Sequence, residues 1–250
     1  MSKPQIHIAS CSFGKDSIAT ILLALENNEP LDRVVFAEVM FDHERGISGE
    51  IPEHIEWVYS TAIPKLEEMG VKVDVVRAKK DYVQLCNTVL KSGKNAGCKY
   101  GIQNSFPCYA NSELKISAIR DYYRALKKEY DIIQYVGIAK DEPIRLQRLD
   151  GNKVSLLDRY GYTEAMAKAK CIEYDLLSPI YGGGGQRGGC WFCFNADIGR
   201  YKNIRKNFPN YWQALRELYY ETNSKFFKYG KTLEFIEVQM DAEDAQLKLF

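Results

Sequence analysis

Ser10-Cys11-Ser12-Phe13-Gly14-Lys15-Asp16-Ser17 is the stretch that decides the fold. Before it, Gln5-Ile6-His7-Ile8-Ala9 alternates as a short strand does. After it, Ile18, Ile21, Leu22 and Leu25 share one helical face. The stretch is therefore a strand-to-helix turn. Gly14 lets the backbone approach a ligand closely. The free N–H groups and positive pole of the helix favour a phosphate. Ser10, Ser12 and Ser17 add hydroxyl donors and Lys15 a mobile positive charge. Asp16 repels phosphate directly, so its expected roles are to orient the loop or, through water, to hold Mg²⁺.

Outward from the turn, strands and helices alternate. Arg33 to Val39, Val71 to Val76 and Ile132 to Gly137 are β-branched or aromatic runs that predict strands, with a short fifth at Val154 to Leu157. Helices are predicted from Pro52 through Glu67 (ended by Gly70), over Asp81–Leu90, over Glu113–Tyr130, and over Thr163–Cys171 with Thr163 as cap. The polar stretch Asp42 to Gly49 and residues 91–112 are expected as loops. Two more helices are expected over Asn210–Tyr220 and Leu233–Lys248. This alternation predicts an α/β, doubly wound, mostly parallel sheet of Rossmann-like type, with a helical C-terminal extension. The expected division is a nucleotide-binding domain over 1–195 and the extension over 196–250. Ligands of such sheets bind beyond the carboxyl ends of the strands, where the turn lies.

The 250 residues carry a net charge of only +1, so any affinity for nucleic acid must come from a local patch. No stretch approaches the roughly 20 apolar residues of a membrane span, and the first residues show no secretory pattern. A cytoplasmic protein with no membrane association is expected. Seven cysteines, an odd number, suggest metal or reactive thiols before disulfides. Cys190 and Cys193 form a CxxC pair behind a glycine-rich run, which suits a knuckle around a metal, and Cys98 and Cys108 on one polar loop can complete a four-cysteine site. Cys11, Cys86 and Cys171 are expected as small buried residues.

Other phosphate motifs fail. GxxxxGK[ST] is absent, because Lys225 stands where Gly230-Lys231-Thr232 needs its first glycine. The run Gly183-Gly184-Gly185-Gln186-Arg187-Gly188 fits GxGxxG but leads into the cysteine pair rather than a helix, so the match is taken as accidental.

Ser12-Phe13-Gly14-Lys15-Asp16-Ser17 resembles the SGGKDS-type loop of the adenine-nucleotide α-hydrolase, or PP-loop, superfamily, with Phe13 in place of the usual first glycine. Within it the chain resembles the phosphoadenosine phosphosulfate (PAPS) reductase family. Val35-Phe36-Ala37-Glu38 with Pro52-Glu53-His54, Gly137-Ile138-Ala139-Lys140-Asp141-Glu142-Pro143-Ile144-Arg145, and Leu156-Leu157-Asp158 with Thr163-Glu164 carry that likeness in order. The resemblance implies that Ser10, Ser12, Phe13, Gly14, Lys15, Asp16 and Ser17 cradle phosphates and that Glu38 and Val39 lie near the adenine or ribose. It implies that Gly137 allows close approach, and that Arg145, with Arg148, faces an anion. Lys15, Asp16 and Arg145 are the implied catalytic residues. The implied cofactors are ATP (or PAPS or adenylylsulfate, APS), Mg²⁺, and a [4Fe–4S] cluster or Zn²⁺ at Cys98, Cys108, Cys190 and Cys193. The family's tandem cysteines are not matched, since Tyr109 follows Cys108. No cysteine follows Cys193, so the C-terminal nucleophile of sulfonucleotide reductases is missing.

Three functions are open on this basis. The first is an enzyme that cleaves ATP at the α-phosphate to activate an acceptor, with sulfur transfer as one outcome. The second is a PAPS or APS reductase that borrows its thiol from a thioredoxin-like or other sulfur-donor partner. The third is a non-catalytic nucleotide-sensing or nucleic-acid-binding module. A homodimer is also expected. Between Arg200 and Lys231, basic residues interleave with Tyr201, Phe208, Tyr211, Trp212, Tyr219, Phe226, Phe227 and Tyr229, which suits single-stranded DNA or a tRNA. Trp212, Leu215, Leu218 and Tyr219, however, fall at helical spacing and are favoured as a core stripe.

Overall fold

The computed structural model describes residues 3–182 and 188–247, with side chains as far as residue 243. The glycine-rich run 183–187 and the end of the last helix at Lys248 lie outside the described residues. The chain divides into two compact units: Met1–Glu38, Pro52–Arg77 and Ile116–Gly188 form one, and Val39–Ile51, Ala78–Lys115 and Gly189–Phe250 the other. The contacts thus draw interleaved units rather than a single cut near 195. Phe41, Tyr82 and Ile102 share one core with Trp191, Trp212 and Phe227, which assigns the early segments to the unit of the C-terminal helices.

The first unit is a five-stranded parallel sheet. Its strands are β1 (Gln5–Cys11), β2 (Arg33–Ala37), β5 (Val73–Val76), β6 (Asp131–Val136) and β7 (Lys153–Val154), in the order β5-β2-β1-β6-β7. Side-chain alternation on β1 explains its two coverings. Ile6 and Ile8 join Val35 and Ile132 beneath Tyr122, Tyr123 and Leu126 of the Ser117–Leu126 helix. Ala9 and Cys11 face the other side, with Ile18, Ile21 and Leu22 of α1 (Lys15–Glu26). Helices on both faces of a parallel sheet make the fold doubly wound, as expected. β1 pairs with β2 on one side and β6 on the other, so chain order reverses beside β1, where such sheets bind ligands.

Thr163 caps the Glu164–Glu173 helix by accepting from the Met166 N–H, as its position predicts. The helix from Pro52 passes through a π-helical segment, Val58–Ala62, before ending at Glu68.

In the second unit the polar stretch Asp42 to Gly49 belongs to a hairpin, β3 (Met40–Asp42) with β4 (Ile47–Ser48). Asp81 forms a capping box with Gln84, but the helix it opens stops at Cys86. Helices Ile198–Asn207, Pro209–Glu221 and Leu233–Leu247 make the helical C-terminal part. Among the described residues no helix is long and apolar enough to cross a membrane.

Candidate functional site

The turn after β1 has the geometry its sequence implies. Gly14 is the N-cap of α1, in extended conformation and with no side-chain cap, which leaves the first N–H groups of the helix to other partners. Ser12 is exposed above them. Gly137, at the end of β6, lies against the same helix end. A Cβ built there would stand 2.7 Å from the Ser17 nitrogen and 2.8 Å from the Asp16 carbonyl carbon. Only glycine lets β6 meet the first turn of α1 this closely.

Phe13 occupies the left-handed region, at φ 55°. Its ring is fully buried and meets Phe36 edge-on, centroids 5.1 Å apart. Burial of the ring holds a conformation that the missing glycine would have adopted freely.

Ser17 braces the loop from inside. Its hydroxyl donates to the Gly14 carbonyl at 2.9 Å and accepts from the Ser12 N–H at 3.3 Å. His54, buried and given no role by the sequence beyond the Pro52-Glu53-His54 likeness, adds a second brace: its Nε2 lies 3.1 Å from the Ser12 carbonyl and its Nδ1 2.7 Å from the Ser178 hydroxyl. A carbonyl only accepts, so Nε2 carries the proton and Nδ1 accepts from Ser178. The Tyr181 hydroxyl accepts from the Lys15 N–H at 3.2 Å, and burial pushes its pKa up. No local pattern announces His54, Ser178 or Tyr181, because each reaches the loop from distant sequence.

The charges at the loop form a knot. Lys15 Nζ lies 2.8 Å from Asp16 Oδ1 and 3.2 Å from Glu164 Oε2. Burial works against the Lys15 charge, but Asp16 and Glu164 more than offset it and its pKa rises. Burial also raises Asp16; Lys15 opposes, while Glu164 and Glu142 add to the rise.

Other implied residues are placed differently. Ser10 does not line the loop: its hydroxyl is bound on the sheet face, 2.8 Å from the Tyr123 hydroxyl and 2.8 Å from Gln134 Nε2. Side-chain alternation along β1 turns it away from α1. Glu38, buried at the carboxyl end of β2, accepts from Arg77 Nε at 2.8 Å and the Tyr59 hydroxyl at 2.6 Å. Burial and Glu38 push Tyr59 up to about 12, and the residue is 42% exposed. Val39 belongs to the second unit, buried, its carbonyl taken by the Gly49 N–H at 2.6 Å. Arg145 is 53% exposed and tied to Glu142 at 2.5 Å, an i,i+3 surface pair, and Arg148 is exposed nearby. Among the described residues neither arginine makes a hydrogen bond or ion pair with Lys15, Asp16 or Glu164.

The cysteines are gathered in part. Cys190 lies on the hairpin through an antiparallel bridge to Glu50, and the Trp191 N–H and indole donate to the Gly49 and Ser48 carbonyls at 3.0 and 2.8 Å. The turn closes with the Cys193 N–H on the Cys190 carbonyl at 3.2 Å. Burial pushes the Cys190 thiol well above its ordinary value, with Glu50, Cys193 and Cys108 adding. Cys108, Cys190 and Cys193 are thus neighbours on one core. Cys98 is exposed, its carbonyl engaged by the Leu90 N–H, and it does not pack against that core. Among the described residues no group of three or more His, Cys, Asp or Glu stands at metal-binding geometry. The three thiols suit a thiophilic metal in kind, and Glu50, 4% exposed with no ion pair among the described residues, stands beside them.

No family model matches the chain, and no curated protein matches it. Among solved structures, the U34-tRNA thiolase NcsA from Methanococcus maripaludis, with its [4Fe-4S] cluster, is similar at 16% identity and a TM-score of 0.41, over 88% of this chain and 72% of that one. Similarity at that level is too slight to assign a fold or a reaction, so function has to be drawn from the site's own residues.

Proposed function

We propose that the first unit is an adenine-nucleotide site of the PP-loop type, and that the enzyme opens ATP between its α- and β-phosphates. An acceptor oxygen bonds to the α-phosphorus, the bond from that phosphorus to the bridging oxygen breaks, and pyrophosphate leaves with the electron pair. The observation that carries this is the close approach of Gly137 to the start of α1, which has no N-cap side chain, beneath the exposed Ser12 and beside the strand-order reversal. Helix N–H groups and the Ser12 hydroxyl hold phosphate oxygens and stabilise charge on the leaving group. Lys15 leaves its carboxylate partners for the β- or γ-phosphate. Tyr59, oriented by Glu38 and Arg77, supports the base or ribose.

The finer reading is sulfur transfer to the activated acceptor. Cys108, Cys190 and Cys193 are the residues that would hold an iron–sulfur cluster or zinc, and such a group would supply or bind sulfur there. The sulfonucleotide-reductase variant needs a thiol from a partner, because no cysteine follows Cys193.

The test is product analysis with α-labelled ATP and labelled pyrophosphate. Labelled AMP, and pyrophosphate exchange into ATP that is lost in Lys15→Ala, are expected. Release of ADP and phosphate with no AMP overturns the proposal.

A further inference from the structure

Most aromatics of the basic C-terminal region are core. Tyr201, Trp212, Tyr219 and Phe227 are each at most 5% exposed. Tyr229 is not: it is 49% exposed, on the turn Lys228-Tyr229-Gly230-Lys231. That turn is closed by the Lys231 N–H on the Lys228 carbonyl at 2.8 Å, with φ of 44° at Tyr229 and 81° at Gly230. Two positive φ values make it a type I′ turn, whose first central place suits Asn, Asp or Gly. A tyrosine there is strained, and the structure holds it: the Tyr229 N–H donates to the Asn104 carbonyl at 3.0 Å, and its hydroxyl donates to Asn195 Oδ1 at 2.7 Å.

The ring has company. Tyr229 and Phe106, the latter 66% exposed, both stand edge-on to the buried Phe194, at 5.4 and 5.0 Å between centroids. Lys228 Nζ lies 5.7 Å from the Tyr229 centroid, and Lys225 and Lys231 stand over Phe226 and Phe235 at 5.2 and 4.8 Å. None of these three lysines has an ion pair among the described residues, although Lys228 Nζ donates to the Ala196 carbonyl, whereas Lys99, Arg205 and Arg216 pair with Glu221, Asp241 and Glu237. Asp197 acts on Lys228, but its carboxylate is engaged capping the Arg200 N–H.

We infer that Phe106 and Tyr229, braced from beneath by the buried Phe194, form with Lys225, Lys228 and Lys231 a binding surface for the unpaired nucleotides of a single-stranded nucleic acid. Exposed rings stack on bases, and unpaired ammonium groups meet phosphates. A duplex hides its base faces and uses only the second of these. A purely apolar partner leaves the lysines unmatched. The surface lies wholly in the second unit, beside Cys108 and Cys193 in sequence, and does not depend on the phosphate-loop proposal.

The strained tyrosine supplies a clean variant. Asn tolerates the left-handed region, so Tyr229→Asn removes the ring while easing the backbone. Fluorescein-labelled single-stranded RNA and DNA of roughly 15 nucleotides, and the matching duplex, are titrated with the intact protein by anisotropy. Single strands are expected to bind, more weakly at about 200 than at about 50 mM salt, and in preference to the duplex. Tyr229→Asn, which trades the Asn195 and Phe194 contacts for an eased backbone, should remain folded and bind about tenfold more weakly. Replacing both Lys225 and Lys231 by Ala should flatten the salt dependence. Absence of salt-sensitive binding, equal binding of the duplex, or undiminished affinity in a folded Tyr229→Asn protein overturns the inference.

Discussion

Gly137→Ala is the sharpest test of how the loop is built. The added Cβ would lie 2.7 Å from the Ser17 nitrogen, 2.8 Å from the Asp16 carbonyl carbon and 2.9 Å from its oxygen. Ordinary carbon contacts are roughly 3.5–4.0 Å, so the start of α1 and the end of β6 must part by about 1 Å. All three obstacles are backbone, and no side-chain rotation relieves them. Overpacking of this kind costs about 1–3 kcal/mol, or a fall of about 4–8 °C in the melting temperature at 2 kcal/mol for a chain of this size. The retreat also misdirects the N–H groups proposed to hold phosphate. A charge-assisted hydrogen bond is worth about 1.5–3 kcal/mol, so ATP affinity should fall at least about tenfold. Gly14→Ala is the control. Its Cβ meets the Tyr181 hydroxyl at 3.2 Å and Ser12 Oγ at 3.5 Å, side-chain tips rather than backbone, at a φ of −77° open to any residue. It should cost under about 1 kcal/mol. Circular dichroism melts and calorimetric ATP titrations measure both. A Gly137→Ala protein that melts and binds ATP as wild type does would refute the role assigned to this contact.

Restoring glycine at Phe13 should destabilise rather than help: relief of the left-handed residue returns about 1–2 kcal/mol, while loss of a fully buried ring costs about 3–5 kcal/mol. Denaturant titration should show a net loss of about 2–3 kcal/mol, and an unchanged midpoint would mean the ring contributes little. Cys171 gives a pH signature. Burial, with Asp16 adding, pushes its thiol from 9.0 up to about 12. The folded state keeps the proton that the unfolded chain releases, so this stability is whole below pH 9 and drains as pH rises toward 12. Between about pH 8 and 10, wild type should lose on the order of 1 kcal/mol more than Cys171→Ala, and parallel pH profiles would exclude the effect. Protein purified without oxygen should carry iron with sulfide, or zinc. Cys98→Ser should leave that content intact and Cys190→Ser should abolish it; equal loss in both would return Cys98 to the ligand set.

What the sequence made legible was local. The strand, turn and helix around Gly14 follow from alternation, a glycine and a 3.6-residue period within two dozen residues, and Thr163 announces its helix by the same kind of neighbourly chemistry. The β3–β4 hairpin escaped because its strands are very short and its tip polar. The Ile198–Asn207 helix escaped because only Tyr201 and Ile204 of its residues are buried, too thin a stripe to show a period. The site's braces were illegible for another reason. His54, Glu164, and Ser178 with Tyr181 arrive from three separate places, and nothing in their own surroundings says that the Ser12-to-Asp16 loop is waiting. Ser10 shows the converse error: it belongs to the motif in sequence, yet the two-residue period of β1 sends its hydroxyl to Tyr123.

The electrostatics of the loop carry one further consequence. Lys15 is shared between Asp16 and Glu164, and Glu142 adds a third negative group acting on Asp16. The Asp16 pKa is raised even though an ammonium lies 2.8 Å away, so burial and the other carboxylates outweigh Lys15. A triphosphate brought to this place meets more negative charge than one lysine and a helix end can balance. Like charges about 4 Å apart repel by about 4 kcal/mol at an effective dielectric constant near 20. A divalent cation held by Asp16 would reverse the sign of that interaction, since Mg²⁺ is commonly bound by one or two carboxylates plus substrate phosphates. Removal of Mg²⁺ should therefore weaken ATP binding on the order of a hundredfold, the factor that roughly 3 kcal/mol gives. AMP, which lacks the β- and γ-phosphates, should bind alike with and without the metal. Glu164→Gln should raise metal-free ATP affinity by removing one repelling charge. If ATP binds equally with and without Mg²⁺, the carboxylates do not face the phosphates, and the nucleotide lies on the loop in another orientation.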